Sequence, residues 1–103
     1  MKYAYFGSFR AKEGKRDTVA KLWKEAAIQL KKNADCLEYI ISTSDEDSNT
    51  VWLWQVWTSR EAHDKSIQEE YAQNIIRKAT PFIESYGKHL DLIIVGGKGI
   101  AAE

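Results

Sequence analysis

The run from Val51 to Trp57 constrains this chain more than any other stretch, because it reads Val-Trp-Leu-Trp-Gln-Val-Trp. Neighbouring side chains of a strand point to opposite faces, so Val51, Leu53, Gln55 and Trp57 share one side and Trp52, Trp54 and Val56 the other. A strand with one wet face alternates apolar with polar residues. Here both sides are bulky and apolar, so both must be covered. A chain of 103 residues is one domain with a single modest core. Its own helices can cover one face, and the other calls for a second copy of the molecule through Trp52 and Trp54.

Before this run the pattern gives a strand over 3–11, with Tyr3, Tyr5, Gly7 and Phe9 on one face; Gly7 reads as a mild bulge or as a point of close approach. Val19, Leu22, Trp23, Ala26 and Leu30 then recur at helical spacing, which predicts an amphipathic helix over roughly 15–33. A second strand is expected from Cys36 to Thr43, followed by a solvated acidic turn over 45–49. With that turn centred near Asp47, Tyr39 faces Gln55, Leu37 faces Trp57 and Ile41 faces Leu53. On the other face this register puts Cys36, Glu38 and Ile40 with Trp52, Trp54 and Val56.

Thr58 or Ser59 caps a helix that carries Ala62, His63, Ser66 and Ile67 on one side. After a break near Glu69 and Glu70, Tyr71, Ile75, Ile76 and Ala79 continue an apolar stripe. Thr80 and Pro81 suggest a fresh capped turn ended by Gly87, and a last strand is expected from Leu90 to Val95. The expected organisation is one domain over residues 1–97 and a tail over 98–103. The order strand-helix-strand-strand-helix-strand suits an α+β, ferredoxin-like sheet of four antiparallel strands with the helices on one face.

Composition excludes several classes. Lysine plus arginine equals aspartate plus glutamate at 15 each, so no positive field draws the chain to nucleic acid or to an anionic membrane. No apolar run approaches the ~20 residues of a membrane span, and Cys36 stands alone, which fits a reducing cytoplasm. Two distant histidines and one cysteine offer no metal-ligand spacing. Four tryptophans in so short a chain need burial or a ligand to stack on.

The opening strand, the amphipathic helix, Ala34 to Tyr39, the run Trp54 to His63 and the late Ala79 to Phe82 together resemble the antibiotic biosynthesis monooxygenase family. The resemblance implies a dimeric α+β barrel with a pocket between sheet and helices in each subunit. Some members oxidise phenols or quinols there with molecular oxygen and without metal or flavin. The family commonly has Glu where this chain has Gln55, His where it has Ser66, and Pro-Gly where it has Asp35 and Cys36. Haem-degrading relatives carry an axial histidine in the second helix, and Tyr71 to Ile76 contains none.

Phenol oxidation needs an electron-rich anion, hence a base, donors for the oxyanion and a dry aromatic slot. His63 is the candidate base, against the alternative of a packing residue, and His89 is placed in a polar turn. Gln55 and Arg77 are candidates to hold the oxyanion, although Arg77 equally suits a solvated helix face. Trp57, Tyr39, Trp23 and Tyr71 are the candidate walls for a small aromatic substrate, or alternatively core. A cofactor-independent monooxygenase is the leading expectation. An isomerase or lyase acting on a small carbonyl compound, and a non-catalytic binding or stress-response module, stay open beside it.

Overall fold

Tyr3–Ala11 forms β1, and the Trp-rich run forms the end of β3, Asp47–Trp57. The two pair antiparallel, with Tyr3 opposite Trp57, Tyr5 opposite Gln55 and Phe9 opposite Val51. The computed structural model describes residues 1–100, so of the expected tail, residues 101–103 lie outside the described residues. Between the two strands come α1, Arg16–Leu30, and β2, Cys36–Ser44; after them come α2, Arg60–Ile67, and α3, Glu70–Ala79. A 3-10 turn, Thr80–Phe82, leads into β4, Ile83–Ile93. The sheet order β2-β3-β1-β4 is that of the ferredoxin-like α+β fold, with all strands antiparallel.

The helical stripe of α1 buries Val19, Trp23, Ala26 and Leu30 against the sheet. This helix stops at Leu30, three residues before the expected end, because the side chain of Asn33 accepts the Asp35 N–H and turns the chain toward β2. Ser59 caps α2 by accepting the Ala62 N–H at 3.1 Å. The break at Glu69 has extended backbone and separates α2 from α3, as the pattern predicts.

Three expectations need correction. The last strand begins at Ile83, not Leu90, and Gly87 lies inside it rather than at a helix end. A Cβ at Gly87 would stand 2.0 Å from the Ser8 hydroxyl where the β1–β4 pairing shifts register, so Ser8 would have to turn its hydroxyl away to admit one. Leu37 does not face Trp57. A register shift between Cys36 and Glu38 sets Cys36 opposite Trp57, which moves the thiol to the helix-covered face and leaves Leu37 exposed. There burial pushes the Cys36 thiol up to about 11. Tyr39 opposite Gln55 and Ile41 opposite Leu53 stand as expected.

The face away from the helices carries an apolar row in register across all four strands: Ile40, Trp54, Phe6 and Leu90. The Phe6 and Trp54 rings lie 6.4 Å apart, and Trp54 donates its indole N–H to Glu38 at 3.0 Å. Ile40 is 48% exposed in the single chain.

Candidate functional site

Between the inner sheet face and the three helices lies a cavity of about 210 Å³. Trp23, Tyr39, Trp57 and Tyr71, the four expected walls, all line it, and so do Gln55 and His63. The Tyr39 phenol is pushed above its ordinary range by burial. Tyr71 is held by Ser66, whose Oγ lies 3.2 Å from the phenol oxygen across the α2–α3 break.

His63 sits in the first turn of α2 and is only 5% exposed. Its ring stacks on Tyr5 at 5.7 Å, meets Trp57 edge-on at 5.6 Å and tilts against Tyr3 at 5.1 Å. The Nδ1 lies 2.9 Å from the carboxylate Oδ1 of Asp64. A carboxylate can only accept, so in the neutral ring Nδ1 carries the proton and Nε2 is left as a bare lone pair. That Nε2 is buried and has no hydrogen-bond partner among the described residues.

Gln55 is buried, and its Oε1 accepts the Trp57 indole N–H at 2.8 Å. An indole nitrogen only donates, which fixes the orientation of the amide and leaves its NH2 group as a donor within the cavity wall. The indole Nε1 of Trp23 is buried and has no hydrogen-bond partner among the described residues.

Arg77 does not join this group. It is exposed, its guanidinium bonds the side chain of Asn74, and it does not line the cavity. His89 is not in a turn but in β4, where its ring lies 4.6 Å from Tyr5 and its Nε2 3.0 Å from Asp91. Asp91 accepts the Tyr3 hydroxyl and faces Arg60 at 3.6 Å. The Tyr3 bond, followed by His89, holds its carboxyl below the usual range, while burial and then Asp91 raise the Tyr3 phenol.

The pattern also missed Tyr5, which lines the cavity and lies back over Gly7, where a Cβ would stand 2.6 Å from the phenol oxygen. Both readings of Gly7 have support: the Tyr5 ring lies close over it, and the β1–β4 pairing shifts register between Gly7 and Phe9. Pairing of Tyr5 with Gln55 puts the phenol on the cavity face, and single-strand alternation cannot reveal that pairing. Among the described residues no group of three or more His, Cys, Asp or Glu side chains gathers to hold a metal ion, and no helix is long and apolar enough to cross a membrane.

The family model for antibiotic biosynthesis monooxygenase matches residues 3–78. A solved structure of a candidate antibiotic biosynthesis monooxygenase from Chloroflexus aurantiacus is 30% identical, with 98% of this chain and all 100% of that one covered at a TM-score of 0.88. A protein of Mycobacterium tuberculosis shares the fold at 14% identity and a TM-score of 0.83, over 96% of this chain and 100% of its own. Another from Caulobacter crescentus does so at 16% and 0.84, over 92% and 91%. No curated protein matches the sequence. With the ferredoxin-like sheet, the aromatic cavity and the family match over most of its length, the chain belongs to the antibiotic biosynthesis monooxygenase family.

Proposed function

We propose that the cavity binds a small phenolic ring and that the protein oxidises it with molecular oxygen, without metal or flavin, as a cytoplasmic homodimer. The observation that carries this reading is His63, a buried histidine that lines the aromatic cavity and whose Nε2 has no hydrogen-bond partner among the described residues. A base in that state takes a phenolic proton and leaves an electron-rich phenolate, which yields electrons to oxygen far more readily than the neutral phenol. The free NH2 of Gln55 is the donor for the resulting oxyanion. Arg77 is not assigned to it, being exposed and bonded to Asn74.

Size favours a single substituted ring, because an apolar cavity of about 150 Å³ already accepts benzene and this one measures about 210 Å³. For a phenol with an open para carbon the reaction balances as phenol plus dioxygen giving quinone plus water. One oxygen atom enters the ring and the ring supplies the electrons that reduce the other. The apolar and aromatic lining of the pocket disfavours water beside the phenolate.

The dimer in this reading buries the row of Ile40, Trp54, Phe6 and Leu90 against its counterpart on a second copy. Oxygen uptake over a panel of small phenols, with the product identified by mass, tests the activity. His63→Ala is expected to lower the rate by at least about a hundredfold. An equal rate in this variant removes the assigned base. Turnover that needs no oxygen points to an isomerase or lyase, and binding without product points to a non-catalytic module.

A further inference from the structure

The cavity does not end beneath the helices. Three of the residues that line it also stand at the surface: Ile67 in the last turn of α2 at 36% exposure, Ile76 of α3 at 37% and Tyr86 of β4 at 63%. The cavity therefore reaches solvent beside these three side chains, two branched aliphatics and an aromatic ring. Single exposed apolar residues are ordinary on a protein surface. Three from separate elements, all lining one apolar cavity, form a patch of the kind that marks a ligand groove.

Each member of this rim is held in place. The side chain of Gln73 donates to the Ile67 carbonyl at 2.7 Å, which ties the end of α2 to α3. Thr80 donates its hydroxyl to the Ile76 carbonyl at 2.7 Å. The Tyr86 ring meets Phe9, its cross-strand partner, edge-on at 5.8 Å. Phe9 lies in the core, so Tyr86 is on the helix-covered face of the sheet. A second copy docked on the row of Ile40, Trp54, Phe6 and Leu90 sits across the sheet from the rim.

Volume indicates what crosses the rim. An apolar cavity of ~150 Å³ holds benzene, and this one, at about 210 Å³, has room for one ring and a short substituent. A longer substituent on that ring has to leave past Ile67, Ile76 and Tyr86. A hydrocarbon chain gains there by leaving water, and a polar chain does not.

Resting on the reading of the cavity as a phenol site, we infer that Ile67, Ile76 and Tyr86 are specificity-determining residues that take up an apolar tail on the substrate's ring. The substrate class is thus a phenol with a hydrocarbon chain of several carbons, the ring inside the cavity and the chain laid across the rim.

Calorimetric titration of the full-length protein with 3-ethylphenol and 3-pentylphenol tests this. Each methylene fully taken from water is worth about fourfold in affinity, so the longer chain, partly covered, is expected to bind the wild type at least about tenfold more tightly. Ile76→Ser and Tyr86→Ser, made separately, are each expected to reduce that preference by at least about threefold. Ile28→Ser, at an exposed position of α1 that does not line the cavity, is expected to keep it. A second readout needs no variant: the terminal methyl of bound 3-pentylphenol should show magnetisation transfer to the Ile67 and Ile76 methyls and the Tyr86 ring. A preference unchanged in both rim variants, equally lost in Ile28→Ser, or a tail methyl that contacts none of the three overturns the inference. So does a rim variant that converts a dimer into a monomer, which would assign the rim to a second copy. If 3-ethylphenol binds and the longer chain gains nothing, the cavity reading stands and this inference alone falls; if neither binds, both fall.

Discussion

In the first turn of α2 the Nδ1 of His63 lies 2.9 Å from the Oδ1 of its neighbour Asp64. This contact sets the tautomer and so decides which nitrogen is free for chemistry. Asparagine at position 64 could either accept from Nδ1 or donate to it, which divides the ring between tautomers. Asp64→Asn is therefore expected to slow phenol oxidation about tenfold while phenol affinity stays within about twofold. The Asp64 carboxylate is largely exposed, which keeps the expected effect below that of a fully buried triad partner. Steady-state rates beside calorimetric affinities check it, and an unaffected rate would show that something else fixes the ring.

The outer sheet face makes a separate prediction. Sedimentation at micromolar concentration is expected to give a dimer for the wild type and a monomer for Trp54→Glu. The substitution would bury an unpaired carboxylate in the middle of the apolar row and weaken association by at least about a hundredfold. A wild-type monomer would remove the proposed cover for Ile40 and Phe6.

Alkaline pH is expected to destabilise the fold through its buried phenols. Tyr3, Tyr5 and Tyr39 are all raised above the ordinary value of 10.0, each chiefly by burial. In the unfolded chain these groups lose their protons near pH 10, before they do so in the fold. Their contribution is therefore complete below about pH 10 and is lost as pH climbs toward the folded values. Urea midpoints between pH 7 and 11 should fall only at the alkaline end, and less steeply in Tyr39→Phe. Absorbance at the phenolate band checks the cause: all five tyrosines ionising together near pH 10 would contradict it.

Much of this architecture is legible in local pattern, and its failures have definite causes. The faces of β3 need only the period of one strand, so Gln55 and Trp57 were placeable on the helix-covered side. The β2–β3 register holds at Tyr39 and Gln55 although the turn lies at Asp45 and Glu46, because the irregularity between Ser42 and Ser44 restores the offset. At Leu37 a second irregularity has no sequence signature, and the expected pairing fails there. β4 is an edge strand whose first half is polar, with Glu84, Ser85 and Lys88, so it reads as a turn. That misplacement is what took His89 away from Tyr5. Arg77 was avoidable: with Ile75 and Ala79 buried four residues apart, helical geometry puts position 77 on the far side. The free N–H of Trp23 and the bare Nε2 of His63 depend on what surrounds them in three dimensions, which no spacing encodes.

Nitrogen resonances of the histidine rings, followed while 3-ethylphenol is added at constant pH, test the central claim most directly. In the free protein His63 is expected to show a protonated Nδ1 and an unprotonated Nε2. On binding, the Nε2 signal should shift toward the protonated range as it takes up the phenolic hydrogen bond. An Nε2 that carries its proton in the free protein, or one that does not respond when the phenol occupies the cavity, would contradict His63 as the base.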